Sequence, residues 1–144
     1  MTASQLAPRR VVGAITITPA LPGDVHTILD LVRAVQLPPE GIEETIAYFW
    51  VAREAERIVG TVGVEVYDDL AFLRSLAVTP THQRTGLGRA LTETALAYLI
   101  ARQFRAVYLL TTTAEAFFAR HGFCLLARDE VPAGVQRSVE FQGV

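Results

Sequence analysis

The sequence contains no lysine, no asparagine and a single cysteine, Cys124. One cysteine cannot form a disulfide within the chain, and it is too little for a cysteine-rich metal site. No grouping of histidine, aspartate and glutamate has metal-ligand spacing either, so no metal site is expected. We attribute the missing lysine and asparagine to codon bias in a GC-rich genome rather than to function. The low cysteine content fits a reducing compartment, and we expect a cytoplasmic protein.

Long hydrophobic runs and blocks of positive charge are also missing. Apolar residues make up 51% of the chain, but no apolar run approaches the roughly 18 residues expected of a membrane-spanning helix. Residues 1–14 carry two arginines without a sustained apolar stretch behind them, so we expect a flexible tail rather than a signal peptide. The net charge is −2 without a basic block, which argues against nucleic acid as a partner.

Hydrophobic spacing along the 144 residues predicts strands and helices within one domain, residues 1–144. The early hairpins indicate antiparallel pairing, and the later strand–helix–strand units indicate parallel pairing. The predicted fold class is therefore mixed α/β, with a mostly antiparallel central sheet and helices on both faces. Strands are expected at 15–18, 48–52, 58–66, 71–78, 106–110 and 123–127, and helices at 24–35, 41–47, 88–102 and 114–120.

The strongest functional signal is a glycine-containing loop, Gln83 to Arg89, between a buried strand and a long helix. A helix N-terminus presents unpaired N–H groups and the positive end of the helix dipole, and glycines let a phosphate approach the backbone. Arg84 and Arg89 can add charge-assisted hydrogen bonds. The alternative is that Gly86 and Gly88 only shape a turn. The third glycine of a dinucleotide fingerprint and the Gly-Lys-Ser/Thr of a triphosphate loop are both missing.

At these residues the sequence resembles the GNAT superfamily of N-acetyltransferases, whose acetyl-CoA motif is Gln/Arg-x-x-Gly-x-Gly/Ala. The resemblance extends over roughly residues 15–127. It implies acetyl-CoA as cosubstrate and backbone groups of Leu76, Ala77 and Val78 for the pantetheine arm and the acetyl group. The segment 114–123 resembles the family's second motif, which makes Phe117 and Phe118 core or CoA-contact residues. The residues implied in pyrophosphate binding are Gln83, Arg84, Thr85, Gly86, Leu87, Gly88 and Arg89.

Two positions depart from the family pattern. Thr111 stands where many members have asparagine, and Phe118 stands where many have the tyrosine that protonates the departing CoA thiolate. Phenylalanine cannot donate a proton. Because an ordinary thiol has a pKa of about 8.5, thiolate is a tolerable leaving group and water could suffice. Tyr108 or Tyr67 could serve instead, although each also suits a packing role.

Shorter segments narrow the resemblance and the expected acceptor. Residues 73–78, 109–115 and 130–132 look like the arsenic-resistance N-acetyltransferases, and Leu-Leu-Thr-Thr-Thr at 109–113 is similar to bacterial glutamate N-acetyltransferases. Both imply a small, amino-acid-like acceptor with an acidic, arsenic or phosphorus group. The alternatives are acetylation of peptides or other amines, and a non-catalytic acyl-CoA-binding module. Such relatives continue beyond residues 139–141, so we expect a shortened last strand; exposed strand edges would allow a homodimer.

Three polar residues on the strands are candidates for catalysis or acceptor binding. In direct transfer a base must take the amine's proton, and Glu65 is the first candidate because partial burial in an apolar strand would strengthen it as a base. The alternative is an outward-facing strand residue. Arg74 could bind a substrate carboxylate or oxyacid, or form an internal salt bridge with Glu65 or Glu43. Ser75 faces away from Arg74 unless a bulge intervenes, and such bulges are typical of the family, so Ser75 is also a candidate.

Overall fold

The computed structural model describes residues 10–142 and contains one six-stranded sheet. The strands lie side by side in chain order, each antiparallel to the next up to β5, and β6 runs parallel to β5. The predicted mixed, mostly antiparallel sheet is therefore confirmed. The strands are β1 (Arg10–Val12), β2 (Ile15–Pro19), β3 (Phe49–Glu54), β4 (Arg57–Tyr67), β5 (Leu70–Val78) and β6 (Ala106–Tyr108).

Two longer helices cover the two faces of this sheet. Along β3 the side chains alternate between the faces: Trp50 belongs to the core beneath α2, whereas Phe49 belongs to the core beneath α1. Three short helices lie in the C-terminal part of the described chain. The helices are α1 (Val25–Ala34), α2 (Leu87–Ala101), α3 (Glu115–Ala119), α4 (Ala133–Gln136) and α5 (Val139–Gln142), with 3₁₀ turns at Pro22–Asp24, Glu43–Tyr48, Pro80–His82 and Arg128–Glu130.

The predicted tail was wrong for three residues. Arg10–Val12 forms strand β1 and pairs with β2, with Val12 opposite Ile15. A two-residue turn joins the strands, and Gly13 has the positive φ of 60° that tight hairpin turns require. Residues 1–9 lie outside the described part of the chain.

The C-terminal strands were also predicted wrongly. Residues 123–127 form no strand: Phe123 packs against Phe118, whereas Leu125 and Leu126 are open to solvent, with Leu125 90% exposed. An apolar run becomes a strand only where a neighbouring edge pairs with it, and β6 is three residues long instead of the predicted five. The segment expected to be a shortened last strand forms the helical turn α5.

Candidate active site

The loop between β5 and α2 has a defined shape. Gly86 precedes the first residue of α2 with φ +88°, a left-handed conformation that favours glycine, and its carbonyl accepts the Ala90 N–H at 3.0 Å. The Gln83 side chain donates to the Val78 carbonyl at 3.0 Å, and the Thr85 hydroxyl donates to the His82 carbonyl at 2.5 Å. The first bond ties the loop to the end of β5 and the second closes a turn within the loop, so the side chain of Gln83 acts within the protein.

The outer surface of this loop is open. A Cβ built on Gly86 would meet no atom within 4 Å, and one built on Gly88 would meet only Phe117 Cζ at 3.9 Å. Thr85 and Arg84 are exposed, and Arg84 has no ion pair among residues 10–142. The backbone at the N-terminus of the 15-residue helix α2 is thus accessible to an anion.

The remaining residues predicted around the loop differ in burial and in their contacts. Leu87 is fully buried, so it can offer a ligand only its backbone, and Arg89 pairs with Glu93 at 3.0 Å. Phe117 is half-buried and lies near Gly88. Phe118 is 9% exposed, and its ring contacts that of Phe117 at a centroid distance of 5.0 Å. The structure therefore places Phe118 in the core and Phe117 between the core and the loop.

Strand β5 separates from β6 and bulges against β4 before it reaches the loop. Its pairing with β6 ends at Phe72 opposite Tyr108. On the other edge Arg74 lies opposite Gly63 but Ala77 lies opposite Thr61, so β5 has one extra residue. This is the bulge that the sequence left open, and Ser75 adopts φ +60° within it. Residues 76–78 continue from the bulge towards the loop.

The bulge brings Ser75 beside Arg74, at the centre of a buried polar cluster. Arg74 Nε donates to Ser75 Oγ at 2.9 Å, Nη1 donates to Glu65 Oε2 at 2.8 Å, and Nη2 donates to the Pro38 carbonyl at 3.1 Å. The Arg74 side chain is 0% exposed. Of the two readings left open, the structure shows the internal salt bridge, and its partner is Glu65 rather than Glu43.

Glu65 is 5% exposed, so the alternative of an outward-facing strand residue is wrong. Its second oxygen accepts a hydrogen bond from the Tyr67 hydroxyl. Burial, followed by that hydrogen bond and the negative charge of Glu65, raises the pKa of Tyr67 to about 12. The raised pKa keeps the phenol protonated, and therefore a donor, into the alkaline range.

Glu140 on α5 joins this cluster, and the sequence analysis did not identify it. Its Oε2 lies 2.9 Å from Arg74 Nε, yet it accepts no hydrogen bond from the described residues because the single Nε hydrogen is directed at Ser75. Burial raises the pKa of Glu140 to about 7, against the attraction of Arg74, and the negative charge of Glu65 contributes further. An acid within the apolar Val-Glu-Phe stretch was the available sequence signal.

A cavity of about 350 Å³ opens beside Glu65. Its volume is at the lower end of the range for small-molecule sites. The Thr45 hydroxyl on one wall donates to the Gly41 carbonyl at 2.8 Å. Arg137, which the sequence analysis also did not identify, places a positive charge on the cavity wall, which also carries the carboxylates of Glu44 and Glu65. The lining residues are Gly41, Glu44, Thr45, Glu65, Val66, Tyr67 and Arg137.

The other residues considered from sequence have local contacts. Tyr108 packs at the edge of the core formed by Leu70, Phe72 and Val135, and the Thr111 hydroxyl accepts the Ala114 N–H at 3.0 Å. Within residues 10–142, no group of three or more His, Cys, Asp and Glu side chains is placed to hold a metal ion. The helices within residues 10–142 also lack the combination of length and apolar character that a membrane span requires.

Two curated proteins are similar in sequence. The amino-acid acetyltransferase of Mycobacterium tuberculosis is 34% identical over 96 residues, covering 64% of this chain and 55% of that protein. An uncharacterized N-acetyltransferase of Chlorobaculum tepidum is 33% identical over 99 residues, covering 68% of this chain and 63% of that protein. The chain thus spans less than two thirds of each of these relatives.

Solved structures share the fold. The M. tuberculosis protein Rv2747, crystallised in complex with CoA, superposes with a TM-score of 0.72 at 29% identity over 88% of this chain and 84% of that one. N-acetylglutamate synthase from Neisseria gonorrhoeae, complexed with CoA and L-arginine, gives 0.76 at 23% identity over 88% and 31%. The family model described as "Acetyltransferase (GNAT) domain" matches residues 45–124, and the chain therefore belongs to the GNAT acetyltransferase family.

Proposed function

We propose that the protein is an acetyl-CoA-dependent N-acetyltransferase that acts on the amine of a small, amino-acid-like acceptor with an acidic, arsenic or phosphorus group. The observation that carries the proposal is the open glycine loop at the N-terminus of α2, in a chain that also has a cavity beside the buried Glu65. Similarity to an amino-acid acetyltransferase supports the amino-acid-like part of this acceptor class.

The loop fits a pyrophosphate group. The exposed backbone at Gly86 and Gly88 leaves room for phosphate oxygens, and the exposed Arg84 supplies a cation beside them. The backbone of residues 76–78, which follows the bulge of β5, would hold the pantetheine arm and the acetyl group of the cosubstrate. Acetyl-CoA supplies the activated acetyl group, and the protein positions it and the amine.

Glu65 is proposed as the base that takes the proton of the attacking amine. It lies on the cavity wall, and each of its oxygens accepts one hydrogen bond, from Arg74 or from Tyr67, which leaves further lone pairs for the amine. Arg74 and Ser75 then act by holding Glu65 in place. Direct binding of an acceptor by Arg74 would require the displacement of one of its internal partners.

The proposal is tested by measuring the release of CoA thiol from acetyl-CoA with a panel of amines. The panel holds acidic amino acids, phosphorus- and arsenic-containing analogues, polyamines and peptides, and it compares wild type with Glu65→Gln. Glu56→Gln, in the exposed turn between β3 and β4, is the matched control. We expect turnover with the acidic amino acids or their analogues, and a loss of roughly 10²- to 10⁴-fold in kcat for Glu65→Gln alone.

Each other outcome would contradict a different part of the proposal. Turnover confined to peptides or polyamines would contradict the amino-acid-like acceptor. Binding of acetyl-CoA without turnover on any amine would point to a non-catalytic acyl-CoA-binding module. A Glu65→Gln variant as active as Glu56→Gln would remove Glu65 from its proposed role and leave the transferase activity standing.

A further inference from the structure

The cavity beside Glu65 has acidic and basic groups on its walls. Glu44 and Glu65 carry carboxylates, and Arg137 carries the cation. A small zwitterion presents the complementary pair, an ammonium group and a carboxylate. A simple polyamine would offer Arg137 only like charge, which is unfavourable at short range.

We infer that Arg137 binds a carboxylate of the acceptor while Glu65 faces its amine. This assignment rests on the proposed function and narrows the acceptor to an amino acid. It differs from the sequence-based expectation, which gave the acidic group of the acceptor to Arg74.

The contrast in exposure between the two arginines supports the assignment. The Arg74 side chain is 0% exposed, and each of its three nitrogens already donates a hydrogen bond within the protein. Arg137 is exposed and has no ion pair among the described residues. An acceptor can reach Arg137 without breaking a buried salt bridge, whereas reaching Arg74 would require one of its buried partners to be displaced.

The orientation of Arg137 leaves its outer nitrogens available. Its Nε donates to the Gly134 carbonyl at 3.3 Å, and the guanidinium carbon lies 6.0 Å from the centre of the Tyr67 ring. These contacts restrict the side chain, while both Nη groups remain free of hydrogen bonds to residues 10–142 and can grip a carboxylate as a pair.

Tyr67 connects the two ends of the site. Its ring lies beside Arg137 and its hydroxyl donates to Glu65. The cation and the base thus both contact one side chain, the cation at its ring and the base at its hydroxyl, which gives a short molecule with an amine and a carboxylate two points of attachment.

The test compares carboxylate and carboxamide acceptors in wild type, Arg137→Ala and Arg137→Lys. The first probe is L-glutamate, with isoglutamine and L-glutamine as analogues that each replace one carboxylate by a neutral amide. The same analogues are made for whichever amino acid the wild type acetylates fastest. For Arg137→Ala we expect KM for the carboxylate acceptor to rise roughly 10- to 100-fold, the range for a lost charge-assisted hydrogen bond.

The amide analogue that lacks the carboxylate bound by Arg137 identifies which carboxylate makes the contact. Its KM should be almost unchanged in Arg137→Ala, KM for acetyl-CoA should stay at the wild-type value, and Arg137→Lys should recover part of the loss. The control is Arg105→Ala, which removes an exposed arginine paired with Asp69 at 3.1 Å outside the cavity.

Failure of this inference differs from failure of the proposed function. Amino acids acetylated by Arg137→Ala with the wild-type KM would overturn the role of Arg137 and leave the transferase intact. Equal loss with the carboxylate and both amides would also overturn it, because a carboxylate contact cannot produce that pattern. A wild-type protein that acetylates only amines without a carboxylate would overturn both the role of Arg137 and the proposed acceptor class.

Discussion

Replacing Glu140 by glutamine is expected to stabilise the protein, and to do so only at neutral and higher pH. Glu140 lies 2.9 Å from Arg74 but has no hydrogen-bond partner for that oxygen among the described residues. Glutamine removes the buried charge while keeping the shape of the side chain. The Arg74–Glu65 pair then remains as a neutral unit.

The size of the expected gain in stability follows from the pKa of Glu140. Burial raises the pKa of Glu140 from 4.5 to about 7, so the folded state holds this proton more tightly than the unfolded state. Stability therefore falls as pH rises from the lower value to the higher. At about 1.4 kcal/mol per pKa unit, the ionised carboxylate costs the folded state up to about 3 kcal/mol above neutral pH. This figure already includes the attraction of Arg74.

The assay is urea unfolding of wild type and Glu140→Gln at about pH 5 and about pH 8. We expect a gain of about 1–3 kcal/mol in the free energy of unfolding at the higher pH and little change at the lower one. Glu44→Gln, an exposed carboxylate of the neighbouring cavity, should change stability by less than about 0.5 kcal/mol at both.

Two outcomes would contradict the expected effect of Glu140→Gln. Destabilisation by Glu140→Gln at the higher pH would mean that the ion pair with Arg74 outweighs the cost of burial. An equal gain at both pH values would mean that the effect comes from packing rather than from ionisation.

Three further predictions concern the cluster and the loop. Arg74→Met should lower the free energy of unfolding by about 3–5 kcal/mol in urea titrations, because it leaves buried carboxylates without their cationic partner. Adding Glu65→Gln should restore part of the loss. Gly86→Ala should weaken acetyl-CoA binding measured by calorimetry, because φ +88° strains alanine, whereas Gly122→Ala, at φ +92° outside the loop, should bear similar strain with unchanged binding. Arg84→Ala should raise KM for acetyl-CoA with a weaker salt dependence than wild type; equal salt dependence in both proteins would contradict its phosphate contact.

The parts of the fold that the sequence predicted correctly depend on local signals. The helix from Leu87 to Ala101 has regular apolar spacing, and the loop before it has glycines at positions that need an open or left-handed backbone. The hairpins follow from turn residues between apolar strands. Family membership is confirmed by the match over residues 45–124.

The parts that were missed depend on contacts between distant residues. No local pattern indicates that Glu140 would lie against Arg74, 66 positions earlier in the chain, or that Arg137 would line the same cavity as Glu65. Residues 123–127 carry a strand-like apolar pattern, but pairing depends on an available edge, which the segment's own composition cannot reveal. The bulge at Ser75 was foreseen only as an alternative, because one extra residue leaves no mark in the hydrophobic alternation.

The proposed acetyl transfer is tested by following label from acetyl-CoA, radiolabelled in its acetyl group, into α-amino acids. The purified chain is incubated with individual amino acids, and the products are separated and identified by mass spectrometry. We expect label in the N-acetyl derivative of an amino acid with wild type, and almost none with Glu65→Gln. Labelled acetyl-CoA that binds the chain but never yields an N-acetyl amino acid would contradict it.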